Sequence, residues 1–115
     1  MNRIVQVRRV YDEPLGTDGA RILVDRLWPR GLSKERARLD EWLKDVAPST
    51  ELREWYGHVP ERFDEFSRRY EAELAGSVAL QSLKDRPGAV TLLTASKHPE
   101  ISEAAVLARL LADTH

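Results

Sequence analysis

The chain has 115 residues, of which 42% are hydrophobic and 32% charged, with 18 basic against 19 acidic side chains. A chain of this size holds one hydrophobic core, so we expect a single domain over residues 1–115. The many charges, the lack of a long apolar run and the absence of cysteine argue against a membrane protein and a secreted protein, so a cytoplasmic location is expected.

The first part of the chain predicts two strands and then a short helix. Residues 4–10 and 21–25 are rich in β-branched side chains, a composition typical of strands. Ser33 is suited to cap the N-terminus of a short helix that ends at Arg38. Residues 39–46 match neither the helical nor the strand period, so their structure is left open.

Helices dominate the next part of the chain. One short helix is expected after Pro48 and Ser49, and another after Ser77. The clearest helix spans residues 60–75, because its apolar residues recur at spacings of three, four and four. These residues form one stripe that faces the core, and they are Phe63, Phe66, Tyr70 and Leu74.

A buried strand and a final helix complete the predicted elements. Residues 90–95 form a continuous apolar run, which is typical of a strand covered on both faces of a parallel sheet. Pro99 is expected to open the last helix. Together these elements predict an α/β fold with a small, mostly parallel sheet flanked by helices. Ligands of such sheets bind at the carboxyl ends of the strands, so candidate sites are sought there.

The first candidate site follows the second predicted strand. Arg26 and Arg30 are suited to bind a phosphate or carboxylate through forked hydrogen bonds, with Asp25 orienting an arginine or acting as a base. Trp28 offers a flat apolar wall, and Gly31 permits close approach of the backbone. The alternative is a simple turn, in which Asp25 pairs with an arginine and Trp28 packs into the core.

The second candidate site joins the apolar strand to the last helix. Lys97 supplies a positive charge, Ser96 a hydroxyl and the helix N-terminus unpaired N–H groups, a combination that suits an anion. The alternative is an ordinary loop in which Ser96 or His98 caps the helix. If both candidates are functional, Arg26 and Arg30 converge with Lys97 on one cleft and bind a small anion, such as a phosphate or a nucleotide-like molecule.

A third candidate is a pocket wall that contains a proton carrier, and its residues are Trp42, Trp55, Tyr56 and His58. The alternative is that these side chains pack in or around the core. The three histidines show no ligand spacing and there is no cysteine, so we expect no metal site and no cofactor. The absence of a Gly-x-Ser-x-Gly elbow also gives no support to a serine nucleophile.

The charges are unevenly distributed along the chain. Residues 1–38 carry nine Lys or Arg against five Asp or Glu, a net charge of +4, and the remainder carries nine against fourteen, a net charge of −5. The basic third favours an adaptor that binds nucleic acid or protein, although sequence-specific nucleic-acid motifs are absent. The alternatives are a mixed charged surface and a purely structural role with internal salt bridges. The oligomeric state is left open.

Several motifs together resemble one family over nearly the whole chain. They are Arg9-Val10-Tyr11-Asp12, Asp18-Gly19 with Arg21, the string from Leu23 to Gly31, Ala47-Pro48-Ser49 with Glu51-Leu52-Arg53, and Thr91-Leu92-Leu93 with Ala95 and Lys97. The chain is similar to the YeaO-like branch of the domain of unknown function 488 family. This resemblance implies a small α/β domain of bacterial type, and it brings no established reaction, substrate or cofactor.

The chain departs from the wider family near the start of its last helix. Longer members carry a Cys-His-Arg run there, and the corresponding positions are Ser102, Glu103 and Ala104. YeaO-like members usually have a histidine near Glu103, which this chain lacks. Chemistry that needs a thiol or an imidazole at this position is therefore not expected. Lys97 and Pro99 still match, so the resemblance favours an anion site over a nucleophile.

Overall fold

A four-stranded sheet forms the centre of the protein, whose structure is a computed structural model that describes residues 4–112. The strands are β1 (Val5–Arg9), β2 (Ala20–Leu23), β3 (Glu41–Trp42) and β4 (Val90–Thr94). Their order across the sheet is β1-β4-β2-β3, and every pair of neighbours is parallel. β4 therefore lies between β1 and β2, although it comes last in the sequence.

The central strand β4 determines where the loops of a site meet. All five of its residues are buried, as its apolar sequence predicts. The register pairs Arg9 of β1 with Thr94, and Leu23 of β2 with Leu93. The three strands therefore end at one edge of the sheet, and the segments after β2 and β4 leave that edge side by side. This carboxyl edge is where the sequence predicts a ligand.

Five helices are present among the described residues, and they are α1 (Lys34–Ala37), α2 (Thr50–Tyr56), α3 (Phe63–Leu74), α4 (Val78–Asp85) and α5 (Glu103–Ala112). Ser33, Ser49 and Ser77 cap α1, α2 and α4, and each accepts a hydrogen bond from the backbone N–H three residues later. The short helices expected after each of these serines are therefore present. Each serine satisfies a donor that the first helical turn leaves unpaired, and so each fixes where its helix begins.

Side chains pack on both faces of the sheet, which confirms the α/β fold class. The larger core joins Ile22 and Leu92 of the sheet to the helices α2, α3, α4 and α5. The predicted stripe on α3 supplies Phe66 and Tyr70 to this core, and both are almost fully buried. On the opposite face, a smaller core contains Leu23 and side chains around α1. Burial of these apolar surfaces is the main stabilising contribution to the fold.

Two segments differ from what periodicity alone indicates. Residues 39–46 contain β3 and a 3₁₀ turn at Lys44–Val46, and a strand of two residues is too short to show an alternating pattern. The last helix begins at Glu103 rather than at Pro99. Pro99–Ile101 forms a separate 3₁₀ turn, and Ser102 then adopts an extended backbone that interrupts the helix. Residues 1–3 and 113–115 of the predicted domain lie outside the described residues.

A buried acidic side chain ties the loop between β1 and β2 to both strands. The Asp18 carboxylate lies 2.6 Å from Arg21 and 3.2 Å from Arg8, and it accepts a hydrogen bond from the Leu15 N–H. Burial acts to raise the pKa of Asp18, but these hydrogen bonds and positive charges outweigh burial, and the pKa is lowered. The loop between β1 and β2 therefore contains a buried ion-pair cluster.

Candidate functional site

A cleft of about 530 Å³ opens at the carboxyl edge of β2 and β4. Its volume lies within the usual range for small-molecule sites, on the order of 300–1,000 Å³. Asp25, Thr94 and Glu103 form its floor, and four exposed residues form a mainly basic rim, namely Arg30, Arg53, His58 and the acidic Glu54. Arg26 and the aromatic side chains of Trp28, Tyr56 and Phe66 also line the cleft. The cleft is therefore lined by acidic, basic and apolar side chains.

Asp25 connects the segment after β2 to the segment after β4. Its Oδ1 accepts a hydrogen bond from the Thr94 hydroxyl at 2.8 Å, and its Oδ2 accepts one from the Ala95 N–H at 2.8 Å. The Asp25 carbonyl accepts a third from the Trp42 indole, also at 2.8 Å. In the alternative of a simple turn, Asp25 pairs with an arginine. The structure instead supplies donors from Thr94 and Ala95, at the end of the neighbouring parallel strand.

Glu103 is the first residue of α5 and faces the same floor. Its Oε1 lies 3.5 Å from the Thr94 hydroxyl. Part of the side chain reaches solvent, but its carboxyl group is buried. Burial, then a hydrogen bond with Asp25 and the negative charge of Asp25, raise the pKa of Glu103 well above its usual range. Glu103 therefore keeps a proton at pH values at which an exposed glutamate has lost it.

The two arginines of the first candidate both line the cleft, as predicted, but the structure holds them differently. The Nη2 of Arg26 donates to the carbonyls of Ala47 and Pro48, at 3.4 Å and 3.2 Å, so the loop before α2 orients it. Its Nε is buried without a hydrogen-bond partner among residues 4–112. Arg30 is exposed, and its guanidinium forms no ion pair within the described part of the chain. Arg30 is therefore the more available cation.

Trp28 serves both of the roles that the sequence left open. Its indole N–H donates to the Leu32 carbonyl at 2.7 Å, and its ring packs edge-on against Trp42 with 5.4 Å between centroids. It is half-buried and also lines the cleft. Gly31 has a φ of +74°, which favours glycine, and no atom lies within 4 Å of the position that a Cβ would occupy. The close approach of its backbone to a ligand stays a prediction.

Only part of the second candidate site lies at the cleft. Ser96 lines it, whereas Lys97 is exposed and does not. The Ser96 N–H donates to the Thr94 hydroxyl at 3.2 Å, and the Ser96 carbonyl accepts from Arg9 of β1 at 3.1 Å. These bonds turn the loop toward β1 before it reaches Lys97. Of the three cations expected to converge, the two arginines line the cleft and Lys97 does not.

The start of the last helix is occupied by the protein's own side chain. Because α5 begins at Glu103, an acidic group lies in its first turn, where the sequence predicted a free anion site. The predicted serine or histidine cap is absent, since the Ser96 hydroxyl instead accepts from the N–H of His98 within the loop. The N-terminus of α5 consequently adds a carboxyl group to the cleft.

The third candidate group separates into two pairs. Tyr56 and His58 line the cleft, but Trp42 and Trp55 do not. The Tyr56 hydroxyl donates to the Ile101 carbonyl at 2.6 Å, and burial together with the charge of Glu103 raises the pKa of Tyr56. Tyr56 is therefore a neutral structural donor, and His58 is the exposed titratable group of that wall.

Sequence reasoning missed several residues of the cleft. Thr94 and Arg53 had no assigned role, and Glu103 was noted only for lacking the family's histidine. Thr94 carried a usable signal, because a polar residue at the carboxyl end of a buried parallel strand faces the edge where ligands bind. Arg53 had none, since its place in the cleft depends on how α2 packs against the sheet.

Other site chemistries receive no support from the described residues. Between residues 4 and 112, no group of three or more His, Asp or Glu side chains is placed to hold a metal ion. None of the helices in that range has the length and apolar composition of a membrane span. Some of the nine basic residues of the N-terminal third make internal contacts, since Arg8 and Arg21 pair with Asp18 and Arg9 binds the Ser96 carbonyl. Others in that third are exposed, so the adaptor stays an alternative.

The fold and the cleft define a small α/β protein with a ligand-sized site at the carboxyl edge of a parallel sheet. The family model described as "Inactive DUF488-N3 subclade" matches residues 4–115. The chain therefore belongs to the DUF488 family, which confirms the resemblance drawn from its motifs.

The relatives of this chain are bacterial. An uncharacterised protein of Mycobacterium tuberculosis is 55% identical over 109 residues, which cover 93% of this chain and 92% of the relative. A Mycobacterium bovis protein, also uncharacterised, matches to the same extent. The uncharacterised protein YeaO of Escherichia coli is 44% identical over 110 residues, covering 90% of this chain and 93% of YeaO. No solved structure matches the chain.

Proposed function

We propose that the cleft binds a small phosphorylated ligand, a phosphate ester or nucleotide-like molecule, and that the protein does so in the cytoplasm. The observation that carries this proposal is that Arg26 and Arg30 line one cleft with Trp28 at the carboxyl edge of a parallel sheet. Guanidinium groups match the geometry of phosphate oxygens and bind them through paired hydrogen bonds. An adjacent half-buried indole gives the rest of such a ligand an apolar surface.

The basic side chains of the cleft have different roles in this proposal. Carbonyl groups of the loop before α2 hold Arg26 in place, so little side-chain entropy is lost when a ligand arrives. Arg30 is exposed at the basic rim and reorients toward the anion. Arg53 lines the cleft from α2 and adds a third positive charge. His58 of the same rim strengthens anion binding when it is protonated.

We favour a protein that binds its ligand without converting it. The matching family model is described as an "Inactive" subclade. Glu103 also stands near the position at which YeaO-like and longer members of the family have a histidine. The cleft offers a carboxyl pair but no thiol, and its histidine is at the exposed rim. These features support a protein that holds its ligand.

The proposal is tested by titrating the purified protein with inorganic phosphate, a phosphate monoester and a mononucleotide. Fluorescence of the cleft tryptophan and the melting temperature report binding. We expect Arg30→Ala to weaken binding about tenfold or more, because a hydrogen bond to a charged group contributes about 1.5–3 kcal/mol. Lys97→Ala is the matched control, since it removes the same charge outside the cleft, and it should leave affinity within about twofold.

The outcomes separate this function from the two alternatives. No change in fluorescence or melting temperature up to millimolar ligand would overturn the proposal. Loss of stability in Arg30→Ala with no ligand effect in either protein would instead indicate a structural role for Arg30. Binding of oligonucleotides that falls steeply with salt and survives Arg30→Ala would favour the adaptor.

A further inference from the structure

The strand β1 forms one edge of the sheet, away from the ligand cleft. It pairs with β4 on one side only, and it has five residues, whereas the opposite edge strand β3 has two. A short edge strand offers little to another chain, but a longer one presents a row of free N–H and C=O groups. β1 is therefore the edge of this sheet that can accept a further strand.

The hydrogen bonds of β1 show which of its backbone groups face outward. The Val10 N–H donates to the Thr94 carbonyl at 2.9 Å, so the even-numbered residues of this segment face β4. Because the backbone alternates along a strand, Val5, Val7 and Arg9 point their N–H and C=O groups away from the sheet. The turn after β1 uses the Arg9 carbonyl, and the other outward groups have no partner among residues 4–112.

Charged side chains often protect such an edge, but the arginines of β1 are held against the protein itself. Arg8 pairs with Asp18 at 3.2 Å. Arg9 donates to the Ser96 carbonyl at 3.1 Å, and its guanidinium lies over the ring of Tyr11, 5.1 Å from the centroid. Both arginines are half-buried. Their charges are therefore poorly placed to repel an incoming strand.

A groove of about 590 Å³ runs beside this edge, between β1 and α5, and it is apolar along most of its length. Val5 and Val7 line it from the strand. Its two charged residues stand toward opposite ends, because Glu100 lies in the turn before α5 and Arg109 in the last turn of the helix. The groove is therefore acidic near the carboxyl edge of the sheet and basic at its other end.

The charges at the two ends are only weakly engaged within the described chain. Glu100 lies 3.7 Å from His98, and Arg109 lies 3.8 Å from Glu71. At least 44% of each of these four side chains is exposed. Contacts of this kind contribute little to stability, so both charges are free to pair with groups from outside.

A second copy of this chain matches the edge. A two-fold axis at Val7 aligns the two β1 strands antiparallel, so that Val5 of each copy lies opposite Arg9 of the other. The outward N–H and C=O groups then form reciprocal hydrogen bonds. Arg8 lies opposite Gln6 of the other copy, so no arginine faces an arginine and the repulsion of like charges across the strands is avoided.

The same axis makes the charges of the groove complementary. It reverses the direction of α5 in the second copy, so the Glu100 end of each groove meets the Arg109 end of the other. We propose that the protein is a symmetric homodimer in which the two β1 strands join the sheets into one, with these two residues paired across the interface. The groove and the ligand cleft share no lining residue, so the inference goes beyond the proposed function and is independent of it.

The first test is the mass of the purified full chain in solution. Sedimentation equilibrium should give twice the chain mass of 13.1 kDa, with dissociation on dilution. Two-fold pairing uses up the open edge of each copy, so no larger assembly is expected. A monomer at all concentrations up to about 1 mM, or an assembly larger than a dimer, overturns the proposal.

Charge reversal tests the paired ends of the groove. Arg109→Glu places like charges together at both ends, because symmetry repeats the substitution, and the Kd of the dimer should rise about tenfold or more. Adding Glu100→Arg exchanges the two charges and should return the Kd to within about threefold. Lys34→Glu is the matched control, since it makes the same reversal at an exposed position of α1, and it should leave the Kd within about twofold.

Amide hydrogen exchange, followed residue by residue by NMR, identifies the surface that the dimer uses. In a monomer only Gln6 and Arg8 of the strand donate to β4, whereas in the proposed dimer Val5, Val7 and Arg9 are protected as well. We expect exchange at Val5 and Val7 to be at least about a hundredfold slower than in an unstructured peptide. This measurement needs no variant, so it decides the proposal even if a substituted protein folds poorly.

Two further results would overturn the arrangement. A dimer in which the Val5 and Val7 amides exchange freely uses another surface. A dimer that Arg109→Glu weakens no more than Lys34→Glu does, or that the double variant fails to restore, lacks the proposed pairing across the two-fold axis.

Discussion

Glu103 shows how one residue links the chemistry of the cleft to the stability of the protein. Its pKa is raised in the folded state by burial and by Asp25. A glutamate with a raised pKa is most favourable to folding at low pH, where both the folded and the unfolded chain hold the proton. Its contribution becomes unfavourable as the pH rises above the unfolded pKa of about 4.3, because the folded state must keep a proton that the unfolded state releases.

Glu103→Gln should therefore stabilise the protein at neutral pH, since the amide donates to Asp25 without titrating. The advantage of the variant should be close to zero near pH 4. It should then increase by up to about 1.4 kcal/mol per pH unit above the unfolded pKa, until the pKa of the folded state is reached. Urea unfolding of both proteins at several pH values measures this difference. An advantage that does not depend on pH would contradict the raised pKa of Glu103.

The loop between β1 and β2 also contains a carboxyl group whose pKa shifts on folding, and this group holds the loop in place. Asp18 is 1% exposed and holds Arg8 and Arg21 through its carboxylate, while its carbonyl accepts the Thr91 hydroxyl of β4 at 2.6 Å. The next residue, Gly19, has a φ of +65°, and a Cβ there would lie 2.3 Å from the Ala89 carbonyl oxygen. A long connection without helix is held in one conformation by these contacts.

Asp18→Asn should destabilise the protein by about 2–4 kcal/mol at neutral pH, because it leaves two guanidinium groups without their counter-charge. The pKa of Asp18 is lowered, so its stabilising effect is present above the unfolded pKa of about 3.9. It is lost as the pH falls through the folded pKa. The penalty of the variant should accordingly shrink in acid, as denaturant unfolding at neutral and acidic pH would show.

The matched control is Glu41→Gln, which removes the ion pair between Glu41 and Arg86. Those side chains are 37% and 34% exposed, and pairs of this kind contribute less than about 1 kcal/mol. If both variants lose the same stability, the burial of Asp18 is not what makes its ion pair important.

Elements were predictable from the sequence where local chemistry decides them. The three serine caps, the stripe on α3 and the buried strand β4 each depend on a pattern within one segment. The strand β3 was missed because two residues have no period and its pairing with β2 is a tertiary contact. The late start of α5 depends likewise on the extended backbone at Ser102, which Pro99 alone does not reveal.

At the scale of the whole molecule, the residues of the site that could be predicted from the sequence are those that follow neighbouring strands of the sheet. Parallel pairing of β2 with β4 brings Asp25 and Ser96 to one edge, and this follows from the α/β pattern. The position of Lys97 depends instead on a hydrogen bond between Arg9 and the loop, 87 residues apart in sequence. Glu103 reaches the floor only because α5 begins there. Long-range contacts of this kind are not encoded in local pattern.

The cleft is assembled from segments throughout the chain, so its ligand should stabilise the entire fold. Residues from the segments after β2 and β4 and from α2, α3 and α5 line it. At a phosphate-monoester concentration 100 times its Kd, the free energy of unfolding should rise by about 2.7 kcal/mol if only the native state binds. For a domain of this size the melting temperature would increase by roughly 10 °C.

Calorimetry at several ligand concentrations measures how far binding stabilises the fold. In Arg30→Ala the same stabilisation should require a higher ligand concentration, in proportion to the weaker affinity of the variant. The stabilisation should follow the logarithm of ligand concentration once the site is saturated. A much smaller rise, in a protein whose Kd is confirmed by fluorescence, would mean that the cleft opens in a local unfolding step below the global one. The lining would then not share one cooperative unit with the sheet, and the cleft would be a mobile surface rather than a preformed site.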